Sequence, residues 1–314
     1  MPQVTRVGDL VLIEEDDAVL RRAIDDQVGG RLPWIVPGDA RASQATVWFC
    51  PGQPPRASRA LPALRWIHSG WAGIESWLRR PEWRDGVLLT RTVGDFPERI
   101  SEYVAGYLLA DALHLREAAR QMEARAWRPW KSETLAGRSL LVVGHGAIGR
   151  RVAEVARALG MAARGIRRGP LTAEDHARGV EDVAALEALL PAADVVVNLL
   201  PLTAESESFW SAERFARMKP GSTFVNVSRG ATVDEDALLA ALAAGRPARA
   251  ILDVFREEPL PPDHRLRAAP GVWITPHVAG TGTPAVLARE FAANWKRWQS
   301  GQPLQRLVDR ARGY

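Results

Sequence analysis

Leu140-Leu141-Val142-Val143-Gly144-His145-Gly146-Ala147-Ile148-Gly149-Arg150 decides the fold. An apolar run stopped by glycine reads as a short buried strand. From Arg150 to Leu159 the apolar residues Val152, Val155, Ala156 and Leu159 return at helical spacing. The turn between them is G-x-G-x-x-G, a weak pattern alone and an informative one where it leaves a strand and opens a helix. Gly144 is expected to make the tight turn, Gly146 to let a pyrophosphate approach the backbone, and Gly149 to let helix and strand pack closely. The helix start, through Ala147 and Ile148, offers unpaired N–H groups and a positive dipole end to that anion. The bland alternative is a glycine-rich turn with no ligand. His145 is read as a tolerated turn residue without chemistry.

Downstream, Met161 to Ile166 is the next candidate strand, followed by Arg167 and Arg168. A site for NAD carries Asp or Glu near this point to hold the ribose hydroxyls. Arg167, eighteen residues after Gly149 (167 − 149), stands there instead. A guanidinium pairs with a 2′-phosphate that a carboxylate would repel. NADP(H) is therefore favoured over NAD(H), against the alternative that Arg167 and Arg168 are solvated loop charges. Further candidate strands follow at Val195-Val196-Val197, Phe224 to Val227, Ala250 to Val254 and Trp273-Ile274, with a helix capped by Asp234. Strands alternating with helices predict a parallel sheet covered on both faces.

The N-terminal part alternates too. Val11-Leu12-Ile13, Val47-Trp48-Phe49 and Trp66-Ile67 are strand candidates, and Pro51 to Pro55 and Gly70 to Gly73 are loops. This predicts a second, smaller α/β unit. Pro97 to Glu123 reads as one long crossover helix between the two units. Pro284 to Trp298 reads as a helix that returns to the N-terminal unit, through Val286, Leu287, Phe291 and Trp295. Two domains imply closure over a cleft, with hinges expected near Thr92 to Asp95 and Thr281 to Pro284.

Composition narrows the class. The chain has 314 residues, 46% hydrophobic and 25% charged, which suits a folded protein of about two domains. Its single cysteine, Cys50, excludes an internal disulfide and a multi-cysteine zinc site, and no metal is expected. The net charge of +4 is small for this length, and lysine occurs only at 131, 219 and 296. No run of like charges marks a nucleic-acid surface, so no nucleic acid is expected as a partner. No stretch approaches the ~18 apolar residues of a membrane span. The acidic run Glu14 to Asp17 behind the first apolar segment does not suit a secretory signal. The expected location is the cytoplasm.

Three later segments place polar residues at strand ends: Asn226-Val227-Ser228-Arg229-Gly230, Asp253 to Leu260 with Glu258, and Thr275-Pro276-His277-Val278-Ala279-Gly280. In a doubly wound sheet the carboxyl ends of the strands line one crevice, so Arg229, Glu258 and His277 are expected to converge. With the glycine fingerprint and Asn198-Leu199-Leu200-Pro201-Leu202-Thr203, these motifs resemble the D-isomer-specific 2-hydroxyacid dehydrogenase family over nearly the full length. The spacing from Arg229 to Glu258 (258 − 229 = 29) and from Glu258 to His277 (277 − 258 = 19) is close to the family's.

The resemblance implies an α/β fold of two doubly wound parallel-sheet domains. A Rossmann cofactor domain, 95–282, is inserted in a flavodoxin-like substrate domain, 1–94 plus 283–314. It also implies roles. Arg229 would hold the substrate carboxylate and polarise the keto oxygen. His277 would give that oxygen a proton as hydride arrives. Glu258 would orient the ring and stabilise the imidazolium. Asp253 would bond the nicotinamide end. Leu200, Pro201, Thr203, Val227, Ser228, Arg229, His277 and Gly280 would border the cofactor. Ser69 to Glu75 is similar to the family's carboxylate loop, with Trp71, Ala72, Gly73 and Ile74 toward the substrate. Trp71 replaces the usual glycine, and whether it narrows the pocket or packs outward stays open. Trp48 is read as a buried strand aromatic.

The implied activity is NADPH-linked reduction of a small 2-keto acid of the glyoxylate or hydroxypyruvate kind, by a homodimer. Two alternatives remain. One is a phosphite-type dehydrogenase; formate oxidation is disfavoured because those relatives carry glutamine where Glu258 stands. The other is a corepressor-like regulator that uses the dinucleotide as a structural ligand.

Overall fold

The computed structural model describes residues 8–78, 80–280 and 282–310. In chain order the elements begin β1 (Val11–Ile13), α1 (Ala18–Val28), β2 (Trp34–Ile35), β3 (Val47–Cys50), β4 (Trp66–Ser69) and β5 (Leu88–Arg91). There follow α2 (Phe96–Ala112), α3 (Leu115–Glu123), β6 (Ser139–Val143), α4 (Ala147–Ala158), β7 (Ala162–Arg167), α5 (Ala173–Ala177), β8 (Val180–Asp182), α6 (Leu186–Leu189) and β9 (Val195–Asn198). The chain continues through α7 (Ala212–Arg217), β10 (Thr223–Asn226), α8 (Glu235–Ala243), β11 (Arg249–Leu252), α9 (Arg265–Ala268) and β12 (Val272–Ile274), and closes with α10 (Pro284–Gln299). It divides into two compact units, Met1–Asp95 with Gly282–Tyr314, and Phe96–Thr281. One of the expected hinge residues, Thr281, lies outside the described residues.

The first unit holds a parallel sheet in the order β2-β1-β3-β4-β5. Its core strands are apolar because both faces are covered. On one face, Leu287, Ala288, Phe291, Trp295 and Trp298 of α10 join Val11, Ile13, Phe49 and Trp66. Phe291 lies flat on Trp66 at 5.4 Å and tilted on Phe49 at 4.6 Å. A side chain of that size, once buried, contributes about 1.5–3 kcal/mol. The helix returns to this unit because its apolar stripe recurs at three and four residues. The edge of β5 is covered by the C-terminal segment, where the Val308 N–H donates to the Leu89 carbonyl at 2.8 Å. An otherwise open strand edge is thereby paired.

Trp48 is a core residue, as expected. It is fully buried, sits edge-on to Trp77 and donates its indole N–H to Glu14 Oε2 at 3.0 Å. Cys50 is buried beside it. Burial, with the Glu14 and Glu15 charges, pushes its thiol pKa up and leaves it unreactive.

His68 on β4 is enclosed by Phe49, Trp66 and Phe291. Its Nδ1 pairs with Thr90 Oγ1 at 2.7 Å and its Nε2 with Thr92 Oγ1 at 3.3 Å. Burial lowers its pKa to about 3. The folded ring is therefore neutral where the unfolded ring, near pKa 6.5, takes a proton. Its contribution to stability is whole above about pH 6.5 and falls as pH drops toward about 3. Chemical denaturation between pH 7 and 5 is expected to show His68→Gln losing less stability per pH unit than the natural chain, by up to about 1.4 kcal/mol. Equal slopes in the two proteins would contradict this.

The second unit holds a seven-stranded parallel sheet, β12-β11-β10-β9-β6-β7-β8. Counted from β6, that is the 3-2-1-4-5-6 order of a dinucleotide-binding sheet with one strand added, and the chain reverses between β6 and β9. The first unit follows the flavodoxin-like order 2-1-3-4-5. Both sheets are parallel and doubly wound, as the alternation predicts.

One expectation fails. Pro97 to Glu123 is not a single helix. Residues Phe96, Ile100, Val104, Leu108 and Ala112 put a buried residue on every fourth position of α2. Burial ends there, His114 takes a left-handed conformation (φ 56°), and α3 starts afresh with no buried residue. The break falls where packing stops holding the helix straight. Among the described residues, no helix is long and apolar enough to cross a membrane.

Candidate active site

Every strand of the second sheet is parallel, so β6, β9, β10, β11 and β12 end on the same edge. The residues that follow are Gly144, Leu199, Val227, Asp253 and Thr275. The five sequence motifs thus lie side by side.

At the switch point, Gly144 has φ 105°, and a Cβ there would stand 2.6 Å from the Leu199 carbonyl carbon. Only glycine takes this turn at this distance. Gly146 is the N-cap of α4 and gives it no side-chain cap. A Cβ on Gly146 would meet no atom within 4 Å. The loop backbone and the first helical N–H groups therefore face open space, the cradle that a pyrophosphate requires. Ala147 is exposed and Ile148 half-buried. The turn thus fits a dinucleotide. His145, by contrast, is buried and packs on Gly165 of β7, where a Cβ would come within 2.3 Å of its ring. Its Nε2 is buried without a hydrogen-bond partner, and burial, with the Arg157 and Arg150 charges, lowers its pKa. It is a wedge between the fingerprint turn and β7.

Arg167 ends β7, where its guanidinium lies 3.4 Å from both oxygens of Asp175. Arg168 is exposed. Leu200 is half-buried and donates its N–H to Asn198 Oδ1 at 3.3 Å. The Ser206 hydroxyl ties the neighbouring turn together, donating to the Pro201 carbonyl at 2.6 Å and accepting the Thr203 N–H at 2.8 Å.

Arg229 is displayed by a buried polar cluster. Asn198 Nδ2 reaches Asn226 Oδ1 and Ser228 Oγ at 3.0 Å, and Thr232 Oγ1 at 2.8 Å. Asn226 Nδ2 and the Thr232 hydroxyl both donate to the Arg229 carbonyl, at 3.3 and 2.7 Å. Val227 and Ser228 are buried in this cluster. The Arg229 side chain is half-buried and donates from Nη1 to the Ser228 carbonyl at 2.6 Å. Gly230 follows because nothing larger fits: a Cβ there would stand 1.9 Å from the Phe255 carbonyl carbon. This contact joins the loop after β10 to the loop after β11.

The second loop carries Glu258. Its Oε1 accepts the Phe255 N–H at 2.9 Å, and its Oε2 meets His277 Nδ1 at 2.7 Å. Burial raises the Glu258 pKa, but the bonds from His277 and Phe255 and the charges of His277 and Arg229 outweigh it and leave the carboxyl below its ordinary value. Glu258 is thus ionised, and Nδ1 is the nitrogen that donates to it.

His277 has φ 55°, a left-handed conformation that costs a non-glycine residue about 1–3 kcal/mol. Asp253 holds it there. The Asp253 carbonyl accepts the His277 N–H at 2.9 Å, and its carboxylate accepts the N–H groups of Val278 and Ala279 at 2.8 and 2.9 Å. Burial raises the Asp253 pKa against these bonds. Thr275 also donates to this carboxylate, at 2.5 Å, and is itself bonded by the Tyr103 hydroxyl of α2 at 2.7 Å. Tyr103 carries no mark in the sequence, and Thr275 stands there only as the first residue of its motif. Gly280 is half-buried against Ile100 and Phe96 of α2.

In the first unit, the expected carboxylate loop follows β4. The Ser69 hydroxyl both accepts the Trp71 N–H and donates to the Trp71 carbonyl, each at 3.2 Å. Arg91 Nη1 donates to the Ala72 carbonyl at 2.8 Å. Trp71, Ala72 and Gly73 are half-buried, and Ile74 belongs to the core.

Residues 105–279 match the model of the D-isomer-specific 2-hydroxyacid dehydrogenase NAD-binding domain. A glyoxylate/hydroxypyruvate reductase A of Serratia proteamaculans is 32% identical over 88% of this chain and 90% of its own. A D-isomer-specific 2-hydroxyacid dehydrogenase family protein of Aeromonas salmonicida superposes with a TM-score of 0.87 at 32% identity, covering 96% of this chain and 99% of its own. A family structure from Xanthobacter autotrophicus, in complex with NADPH and MES, has a TM-score of 0.84 at 30% identity and covers 98% and 99%. A dinucleotide cradle at the sheet's switch point, a histidine–carboxylate pair on its carboxyl edge and these likenesses lead to one conclusion: the chain is an oxidoreductase that belongs to the D-isomer-specific 2-hydroxyacid dehydrogenase family.

Proposed function

We propose that the protein reduces a small 2-keto acid of the glyoxylate or hydroxypyruvate kind with NADPH. The observation that carries this reading is the 2.7 Å bond between His277 Nδ1 and an ionised Glu258, with the Arg229 charge close enough to act on the same carboxyl. A cation, a proton donor and an orienting carboxylate are what addition of hydride to a keto acid requires.

When bound, the reduced nicotinamide supplies the hydride. Arg229 binds the substrate carboxylate and draws electron density from the keto oxygen through its forked donors. His277, held by Glu258 at Nδ1, donates the proton on Nε2 to that oxygen as the carbon is reduced. Glu258 stabilises the imidazolium before transfer and fixes the ring's direction. Asp253 holds the strained turn at His277, and the lone pair left on Oδ2 suits the carboxamide end of the cofactor. Ala147, Ile148 and Gly149 hold the pyrophosphate through their N–H groups. Leu200, Pro201 and Thr203 border the cofactor, as do Val227, Ser228 and Gly280. Within the first unit, the backbone N–H groups of Ala72, Gly73 and Ile74, with Trp71 beside them, are the candidates to hold a carboxylate. Arg167, with Arg168 beside it, reads the 2′-phosphate; the NADPH bound to the Xanthobacter relative supports that reading.

Initial rates with NADPH and NADH against glyoxylate, hydroxypyruvate, pyruvate and phenylpyruvate test the proposal. The expected result is faster turnover with NADPH than with NADH, and with glyoxylate and hydroxypyruvate than with pyruvate and phenylpyruvate. A clear NADH preference would overturn the cofactor assignment and keep the family activity. Preference for phenylpyruvate would overturn the substrate assignment.

A further inference from the structure

Arg167, proposed above to read the 2′-phosphate, does not stand alone at the end of β7. Its Nη1 lies 3.4 Å from both carboxylate oxygens of Asp175, and its Nη2 donates to the Pro170 carbonyl at 3.3 Å. The Asp175 side chain is only 13% exposed, against 35% for Arg167. It is also locked. Asp175 Oδ2 accepts both the N–H and the hydroxyl of Thr172 at 2.9 Å, and the Asp175 N–H returns to Thr172 Oγ1 at 3.1 Å. This reciprocal cap starts α5, so the carboxylate cannot swing away without undoing the helix start. The Thr172 bonds, helped by the Arg167 charge, hold the Asp175 carboxyl below its usual range and keep it ionised.

We propose that Asp175 restrains the preference for NADP(H): it occupies the guanidinium of Arg167 and places a fixed negative charge beside the 2′-phosphate, which leaves the site open to NADH as well. This rests on the reading of Arg167 as the phosphate ligand. Two effects oppose each other here. Asp175 helps to hold Arg167 in place, but a partly exposed pair at this distance is worth little. It also repels the phosphate. A guanidinium shared by two oxyanions keeps them ~7 Å apart, where one charge against a dianion amounts to about two- to tenfold in affinity after screening by salt. Repulsion is the larger effect.

The test is titration of the full chain with NADPH and NADH, followed by nicotinamide fluorescence, for the natural protein, Asp175→Asn and Arg167→Gln. Asn keeps a side-chain oxygen for the Thr172 cap, and Asp175→Ser serves as a second variant if the first is destabilised. Asp175→Asn is expected to bind NADPH about two- to tenfold more tightly, with NADH changed less than about twofold and the gain shrinking at 1 M salt. Unchanged or weaker NADPH binding would overturn the proposal. Arg167→Gln separates it from the reading beneath it. If that variant loses the NADPH preference while Asp175→Asn gains nothing, only the role of Asp175 fails. If Arg167→Gln leaves the NADPH-to-NADH ratio unchanged, the phosphate assignment itself fails.

Discussion

Replacing His277 by Asn is expected to lower kcat for keto-acid reduction by about 10²–10⁴-fold, the usual worth of a placed general acid. Asn keeps a polar, planar side chain and tolerates the left-handed backbone found at this position better than most residues. The turn held by Asp253 then persists, and the loss reports on proton transfer rather than on folding. A companion Glu258→Gln variant keeps an acceptor toward His277 Nδ1 but removes the charge. It is expected to lose less than His277→Asn, because the ring stays in place while the imidazolium loses its counter-ion. Steady-state rates, with thermal melting as the folding control, check both. Retention of kcat within about threefold in His277→Asn would remove this residue from the reaction.

Gly230→Ala is expected to destabilise the second unit by about 1–3 kcal/mol and to cut kcat/KM by about 10²-fold. The methyl group would have to occupy space 1.9 Å from the Phe255 carbonyl carbon and 2.1 Å from its oxygen. These are backbone atoms, so relief requires the loop after β10 to separate from the loop after β11. Arg229 lies on the first of these loops and Glu258 on the second. A displacement of about 1 Å between groups that share a transition state is enough for a loss of this size. Differential scanning calorimetry and kinetics on the same preparation would show both effects. A variant with unchanged melting and unchanged kcat/KM would mean that the two loops do not meet as described.

Much of this was legible because the decisive signals are local. The fingerprint turn lies between a strand and a helix within eleven residues, and Gly144 and Gly149 have the backbone reasons expected of them. The polar strand ends were legible as well, since parallel strands must end on one edge. The convergence of Arg229, Glu258 and His277 follows from that rule, whereas the pairing of Glu258 with His277 was implied by the family resemblance. What escaped has a tertiary origin. The break at His114 follows from where α2 stops being buried, which a run of helix-favouring residues does not reveal. Tyr103 supports Thr275 across 172 positions of sequence, and nothing around Tyr103 links it to that motif. His145 looked like a tolerated turn residue, yet it fills the space left by Gly165. Arg167 and Asp175 are eight positions apart, but which way each side chain turns is a property of the loop between them.

In the proposed reaction hydride passes directly to the keto carbon and His277 delivers the proton. Its most direct test is a turnover with NADPH carrying deuterium at C4 of the nicotinamide. Both C4-deuterated stereoisomers would be used, with hydroxypyruvate as substrate and mass and NMR analysis of the glycerate formed. One isomer is expected to place one deuterium at C2 of D-glycerate and the other none, and His277→Asn is expected to suppress the transfer. Oxidation of NADPH that leaves the glycerate unlabelled by either isomer would contradict it.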